Sequence, residues 1–328
     1  MMEKTLRSSR LDYLKAAAAV LVVLGHALTY INNTASLEGF WKALESLIYA
    51  VHVPLFFAVA GYLCHRQPLG SFYKKKLLRI FVPFLIFTVL KLLYSVAFSG
   101  QALSAGLLKD AFIYGNYYWF CYAILLMFVL APLMWKRGGE AVSVIILIIC
   151  LVLQVVFTAK GPEGYGPFQV VQIVYCYPFF FAGYWFKQYM EKRGEKAVSG
   201  MSVKIPALII GAAAVSVYLY IDMNGMDDRL FYFPCRTAAS IALIAGAAAL
   251  SGLIPEGVKT LSFLGGISLQ IMLFDSLYKI LLFKVAERIG WMHPAVSIPI
   301  TVIDILLIAV TCILIRKLPY IRTLFGIY

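Results

Sequence analysis

The feature that most constrains this chain is a succession of ten apolar segments, each about as long as a helix needs to be to cross roughly 30 Å of hydrocarbon. They occupy residues 11–31, 44–64, 77–98, 118–135, 141–159, 170–190, 205–221, 232–252, 261–283 and 295–315. In lipid every backbone polar group must be satisfied within the segment itself or in a closed barrel, so apolar runs of this length predict helices. Composition agrees. Of 328 residues, 62% are hydrophobic and 14% charged, and mean hydropathy is +0.84; a soluble domain is about 45–50% apolar and about 25% charged. The expected fold is all-α: a polytopic membrane helical bundle of about ten transmembrane helices. Only the connections 99–117 and 187–204 are long, so residues 1–328 read as a single integral domain. No internal repeat of the kind that builds many transporters stands out.

A net charge of +13 raises the question of nucleic acid, and the placement of the basic residues answers it. With the amino terminus inside, Lys42, Lys109, Lys160, Arg229, Lys284 and Arg288 fall on the outer side, and Lys15, Lys91, Arg236 and Lys279 fall within spans. The remaining 19 of the 29 lysines and arginines are cytoplasmic, among them Lys4, Arg7, Arg10, Lys74, Lys75, Arg137 and Lys196. This bias predicts both termini in the cytoplasm. The charge is then a topology signal, the surroundings are membrane lipid, and no nucleic-acid partner is implied. The basic amino terminus leads into a long helix carrying Asp12 and Lys15, which reads as a retained signal anchor and not a cleaved signal peptide. The six cysteines lack a CxxC pair and read as small buried hydrophobes.

Polar residues inside such spans are expensive unless they face a protein interior or a wet cavity. In the first segment Lys15 and His26 are eleven residues apart, about three helical turns, so they share one face and stand about 16 Å apart along the axis. Depth counting gives two levels. An inner one holds Lys15, with Lys74, Lys75, Lys76 and Arg79 at the mouth of the third span. An outer one holds His26, His52, Lys91 and Asp275, with Asp304 near the middle of the tenth span. The basic mouth is also what a plain positive-inside anchor looks like, and Lys91, Asp275, Lys279 and Asp304 also fit ion pairing between helices. Two histidines at matching depth without an acidic ligand cluster argue against a metal site.

Two levels suit a reaction that crosses the membrane. A polyanionic donor can rest on the inner cations, and a flexible arm about 16 Å long can reach the outer histidine. A neutral histidine is suited to taking a proton from a sugar hydroxyl near neutral pH. Buried charge alone fits a second class equally, a transporter of glycans or lipid-linked sugars that makes no bonds.

At this point the sequence resembles the acyltransferase 3 family of membrane acyltransferases. The resemblance rests on Lys15 and His26 as a basic residue, ten residues, then histidine. It rests further on His52-Val-Pro54-Leu-Phe56-Phe57 followed by Gly61-Tyr62, and on Phe72-Tyr-Lys-Lys-Lys76-Leu-Leu-Arg79-Ile-Phe-Val-Pro83. Weaker support comes from Tyr118-Trp119-Phe120-Cys-Tyr122 and Phe179-Phe-Phe-Ala-Gly183-Tyr184. It implies O-acylation of a hydroxyl on an exported or surface glycan, with acyl-coenzyme A, usually acetyl-CoA, as donor substrate and no permanently bound cofactor, in the cell membrane of a bacterium. It implies that His26 is the catalytic base, with Lys15 and His52 in the catalytic set, Lys15, Lys76 and Arg79 near the donor, and Trp119, Tyr122 and Asp275 on the substrate side. Three positions depart from the family pattern. Many members have Arg where Lys15 stands, Lys76-x-x-Arg79 replaces a double-arginine form found in some members, and a histidine often occupies the place of Asp275.

Overall fold

The computed structural model of the chain describes residues 9–98, 100–136, 138–160, 167–193, 201–225 and 229–327. Lys4, Arg7, Arg137 and Lys196, which contribute to the topology signal, lie outside these residues. In chain order the helices are α1 (Ser9–Ala35), α2 (Gly39–Tyr62), α3 (Leu69–Lys76), α4 (Val82–Phe98), α5 (Ala105–Phe112), α6 (Trp119–Leu130) and α7 (Gly139–Lys160). They continue as α8 (Val170–Arg193), α9 (Met201–Met223), α10 (Arg229–Ser251), α11 (Lys259–Gly266), α12 (Ser268–Arg288), α13 (Ser297–Arg316) and α14 (Pro319–Leu324). No strand occurs among the described residues.

Among the described residues, six helical stretches are long and apolar enough to cross a membrane: Ser9–Thr34, Gly39–Tyr62, Leu69–Ala97, Gly139–Phe157, Tyr232–Ser251 and Pro294–Arg316. Trp119–Trp135 and Leu208–Met223 are shorter apolar helices, and α8 lies where the sequence predicts a sixth span. The third span is continuous from α3 into α4 through one wide turn of π-helix, Leu77–Phe81. The ninth predicted segment differs from expectation. It is two helices, α11 and α12, bent by 73° at their junction. Large apolar side chains such as Ile145, Ile148 and Val152 on α7 face outward, as they do where the surrounding solvent is hydrocarbon.

The centre of the bundle is α1, which packs against α2, α10, α11, α12 and α13. It can be surrounded because much of its surface is small: Ala16, Ala18, Ala19 and Ala27 are at most 1% exposed. Without a hydrophobic drive between helices in lipid, close backbone approach through small residues does much of the work of association. The tightest case joins α2 to α8. A Cβ on Gly61 would stand 1.9 Å from the Phe180 carbonyl oxygen, and one on Gly183 would stand 1.9 Å from that of Ala58. The two Gly-Tyr pairs seen in the sequence are therefore the two halves of one helix crossing. On its other side α1 meets α11 with the same economy, Gly265 lying so close to Asp12 that a Cβ would come within 2.0 Å of its carbonyl oxygen. Tyr13 pins the approach to α11, donating to Pro255 O at 2.9 Å and accepting from Val258 N at 2.8 Å.

Candidate active site

The face of α1 that carries Lys15 and His26 meets a different partner at each level. At the deeper one, His26 Nδ1 lies 2.7 Å from Asp275 Oδ2, and Lys279 Nζ donates to the same oxygen at 3.0 Å. Asp275 and Lys279 are one turn apart on α12, so a single helix presents both charges to α1. The Asp275 side chain is 1% exposed and that of His26 39%. The carboxylate is sealed in protein while the imidazole edge away from it opens to space. An Asp accepting from Nδ1–H leaves Nε2 of the neutral ring as a free proton acceptor.

The turn of α12 that carries Asp275 is braced from two further helices. The Tyr118 hydroxyl donates to Leu273 O at 3.1 Å and lies 3.0 Å from Ser276 Oγ. Lys91 of α4 donates to Ser276 O at 3.2 Å. On α13 the fully buried Asp304 neighbours Asp275, yet the oxygens left free by the His26 and Lys279 contacts do not meet hydrogen-bond geometry. His52 of α2 is buried, its Nδ1 at 2.5 Å from Ile48 O and its ring edge-on to Tyr49 with centroids 5.0 Å apart. His26 and Arg236 are among its electrostatic neighbours. Arg236 itself donates to Tyr49 O at 3.0 Å, joining α10 to this layer.

One turn further along α1 from His26, Thr29 donates to Glu45 Oε1 at 2.7 Å and touches the Tyr49 hydroxyl at 2.8 Å. Asn32 reaches the other Glu45 oxygen at 3.0 Å.

At the other end of the face, Lys15 Nζ stands 2.6 Å from Asp12 Oδ1, a pair one turn apart on α1, with Lys15 20% exposed. Asp12 lines a cleft of about 390 Å³ together with Ser9, Ser262, Phe263, Gly266 and Arg316.

The remaining sequence candidates lie elsewhere. Lys76 sits 3.5 Å above the Phe128 ring and 5.4 Å from that of Phe72, within the aromatic cluster that joins α2, α6 and α8. Arg79 is exposed on the π-turn, its backbone close to Gly326. Tyr122 donates to Phe112 O and packs edge-on to Phe84, tying α5 to α6, and Trp119 packs on Phe120. The structure thus brings together His26 and Asp275, and Lys15 with Asp12, while Lys76, Arg79, Trp119 and Tyr122 join other neighbourhoods. Sequence reasoning did not single out Tyr118 or Ser276 for the site, and it read Lys279 only as a helix pairing residue. The four-residue step from Asp275 to Lys279 was the available signal.

An Asp–His pair beside an open edge, at the end of a three-turn polar face, is an arrangement for moving a proton at a hydroxyl. Comparison with known proteins identifies the setting: the Acyltransferase domain family of acyltransferase 3 proteins matches residues 8–316. The chain belongs to the acyltransferase 3 family. It is a multi-pass membrane acyltransferase. The Nodulation protein NolL of Sinorhizobium fredii is 27% identical over 276 residues, 77% of this chain and 69% of that protein. The Nodulation protein NolL of Mesorhizobium japonicum is 25% identical over 197 residues, 56% of this chain, which spans about half (48%) of that relative. No solved structure matches the chain.

Proposed function

We propose that this acyltransferase moves an acyl group, acetyl in particular, from cytoplasmic acyl-coenzyme A to a hydroxyl of an exported or surface glycan. The observation that carries the reading is the 2.7 Å contact between His26 Nδ1 and Asp275 Oδ2. Asp275 holds the imidazole in the tautomer whose Nε2 is unprotonated and aims it, as carboxylates do behind catalytic histidines. His26 Nε2 takes the proton of the acceptor hydroxyl as its oxygen attacks the thioester carbonyl. The tetrahedral intermediate collapses with cleavage of the carbon–sulfur bond, and the departing thiolate receives the proton from His26. The ester and free coenzyme A leave, and the histidine is neutral again.

Lys279 offsets the carboxylate charge, so the deep site is not an uncompensated anion. Lys15 serves the donor side, where a phosphate-bearing group enters, with Lys76 and Arg79 at the same end of the bundle. His52 backs the reacting layer, and Trp119 and Tyr122 shape the acceptor approach. In this reading the chain makes ten crossings with both termini in the cytoplasm of a bacterium. Its site spans the cell membrane, the donor approaching from within and the acceptor from outside.

The test is transfer from labelled acetyl-CoA by purified protein in proteoliposomes, with mass spectrometry of surface glycans from cells with and without the protein. His26→Ala and Asp275→Asn should assemble normally and lose transfer, and the glycans should lose an acyl mass. Unchanged glycan masses together with altered glycan export would replace this reading with a transporter.

A further inference from the structure

The cleft at the foot of α1 has a composition that neither the bundle nor the His26 layer requires. Its walls are α1, α11 and α13, and it is lined by Ser9, Asp12, Ser262, Phe263, Gly266 and Arg316. The Arg316 guanidinium lies 5.1 Å from the centroid of the Phe263 ring. A ring face holds a guanidinium in place without consuming its charge. No carboxylate lies within ion-pair distance of Arg316 among the described residues. The acid in the cleft, Asp12, is paired with Lys15 at 2.6 Å, so it is not the ion-pair partner of Arg316. Ser9 and Ser262 add hydroxyl donors. A forked cation with hydroxyls around it is what phosphate oxygens are bound by.

The cleft is also held by contacts between helices. Gly265 and Tyr13 fix α11 against α1, so its walls do not depend on loop order. The 73° break between α11 and α12 opens at Gly266, and α12 starts there with its first-turn amides, a positive helix end of the sort that interrupted membrane helices turn toward anionic substrates. From that start α12 runs about 10 Å to Asp275, while α1 runs about 16 Å from Lys15 to His26. Cleft and dyad thus lie at two levels of α1, with α12 starting beside the first and carrying Asp275 at the second.

We infer that this cleft seats the phosphates of the nucleotide thioester donor, with Arg316 as their anchoring cation and Ser262 and Ser9 as hydrogen-bond donors. The inference rests on the proposed acyl transfer for the identity of the ligand. It places the donor's charged end on Arg316, where the sequence pattern pointed to Lys76 and Arg79. Neither Lys76 nor Arg79 lines this cleft.

The test uses the full-length protein in nanodiscs, calorimetry with coenzyme A and dephospho-coenzyme A, and transfer kinetics with acetyl-CoA. Arg316→Ala should weaken coenzyme A binding about tenfold and raise KM for acetyl-CoA by the same factor, with kcat within twofold. Arg316→Lys should recover part of the affinity, which separates loss of charge from loss of fold, and Ser262→Ala should weaken binding about threefold. Coenzyme A affinity unchanged in Arg316→Ala would overturn the inference and make Arg316 a plain interfacial anchor. If coenzyme A affinity is unchanged while a preference for anionic over zwitterionic nanodiscs disappears, the cleft takes a lipid phosphate instead, and the inference again fails. The proposed reaction stands or falls separately. Wild-type protein that binds coenzyme A through Arg316 but transfers no acyl group would remove the reaction and keep the cleft, whereas transfer that survives Arg316→Ala at unchanged KM would do the reverse.

Discussion

The two polar levels of α1 are held in opposite ways. At the foot, Asp12 and Lys15 are one turn apart on the same helix, a contact that forms wherever that helix forms. At the deeper level, His26 meets an aspartate 249 residues away, a contact that exists only when α1 and α12 are both in place, with α12 braced by Lys91 of α4 and by Tyr118 at the start of α6. An entrance residue partly open to water can move and be screened, and its pairing contributes little. The dyad joins a sealed carboxylate to an imidazole that is 39% exposed, and contacts from several helices set its geometry before substrate arrives, which is what proton transfer needs. In the proposed reaction binding belongs to the foot and chemistry to the deep layer, and each substitution below either breaks that division or refines it.

The largest effect should come from His26→Ala, with acetyl transfer in proteoliposomes falling by about 10³-fold or more, since removal of a general base ordinarily forfeits about 10²–10⁴. Coenzyme A affinity should stay within about twofold, because His26 is three turns from the foot cleft. Weakened donor binding in this variant would merge the two levels. Asp275→Asn comes next, at about 10²–10³-fold in kcat, since the amide disrupts tautomer control while keeping shape. Asp275→Glu should recover part of the rate only if the longer side chain still reaches Nδ1. A rate for Asp275→Asn equal to wild type would show that the 2.7 Å contact is structural and not catalytic.

How far the sequence reached follows the same division. Helical spans were legible because hydrocarbon demands long uninterrupted apolar runs, and the predicted segments fall on helical backbone. The break after Gly266 was not legible, because Gly265-Gly266 inside an apolar run looks like ordinary small-residue packing. Beside it the Asp12 carbonyl lies against Gly265, a contact between residues from opposite ends of the chain. Depth counting put His26 and Asp275 at one level, but depth says nothing of lateral neighbours, so the dyad itself waited for the packing of α12 on α1. The neighbours of Lys76 were hidden for a local reason. It ends a basic run that reads as a membrane mouth, yet it is one turn from Phe72 and rotates inward over Phe128.

Lys279→Met tests a smaller part of the deep layer. It removes the cation 3.0 Å from Asp275 and leaves a buried carboxylate with His26 and the Asp304 carboxyl beside it. Removing one partner of a buried pair typically destabilises by about 3–5 kcal/mol, so the first outcome should be a lower yield of folded protein and a lower unfolding temperature in detergent. In the fraction that folds, transfer should fall about 10-fold. The Asp275→Asn/Lys279→Met double variant should fold better than Lys279→Met alone, because no charge is then left unpaired, yet remain as slow as Asp275→Asn. Additive losses of stability would mean that Lys279 acts independently of the dyad.

Lys15→Ala should act on the other level alone, raising KM for acetyl-CoA about three- to tenfold with little change in kcat, and the effect should shrink in high salt as partly exposed charges are screened. A drop in kcat without a change in KM would move Lys15 into the chemistry and end the two-level division.

The smallest effect, and the sharpest probe of the boundary, belongs to Tyr118→Phe. The hydroxyl braces the α12 turn through Leu273 O and Ser276 Oγ, so its removal takes away two interactions and leaves the ring packed against Phe87. Each such hydrogen bond contributes about 0.5–1.5 kcal/mol net, and Lys91 still holds Ser276 O from α4. A brace of this kind acts on the precision of Asp275, not on its chemistry. The expected result is a loss of transfer of about threefold, a modestly lower unfolding temperature and unchanged donor KM. The same threefold loss should vanish in an Asp275→Asn background, because there is then no carboxylate left to position. If Tyr118→Phe still lowers transfer on top of Asp275→Asn, the hydroxyl contacts substrate directly, and the reacting layer extends from α1 and α12 onto α6.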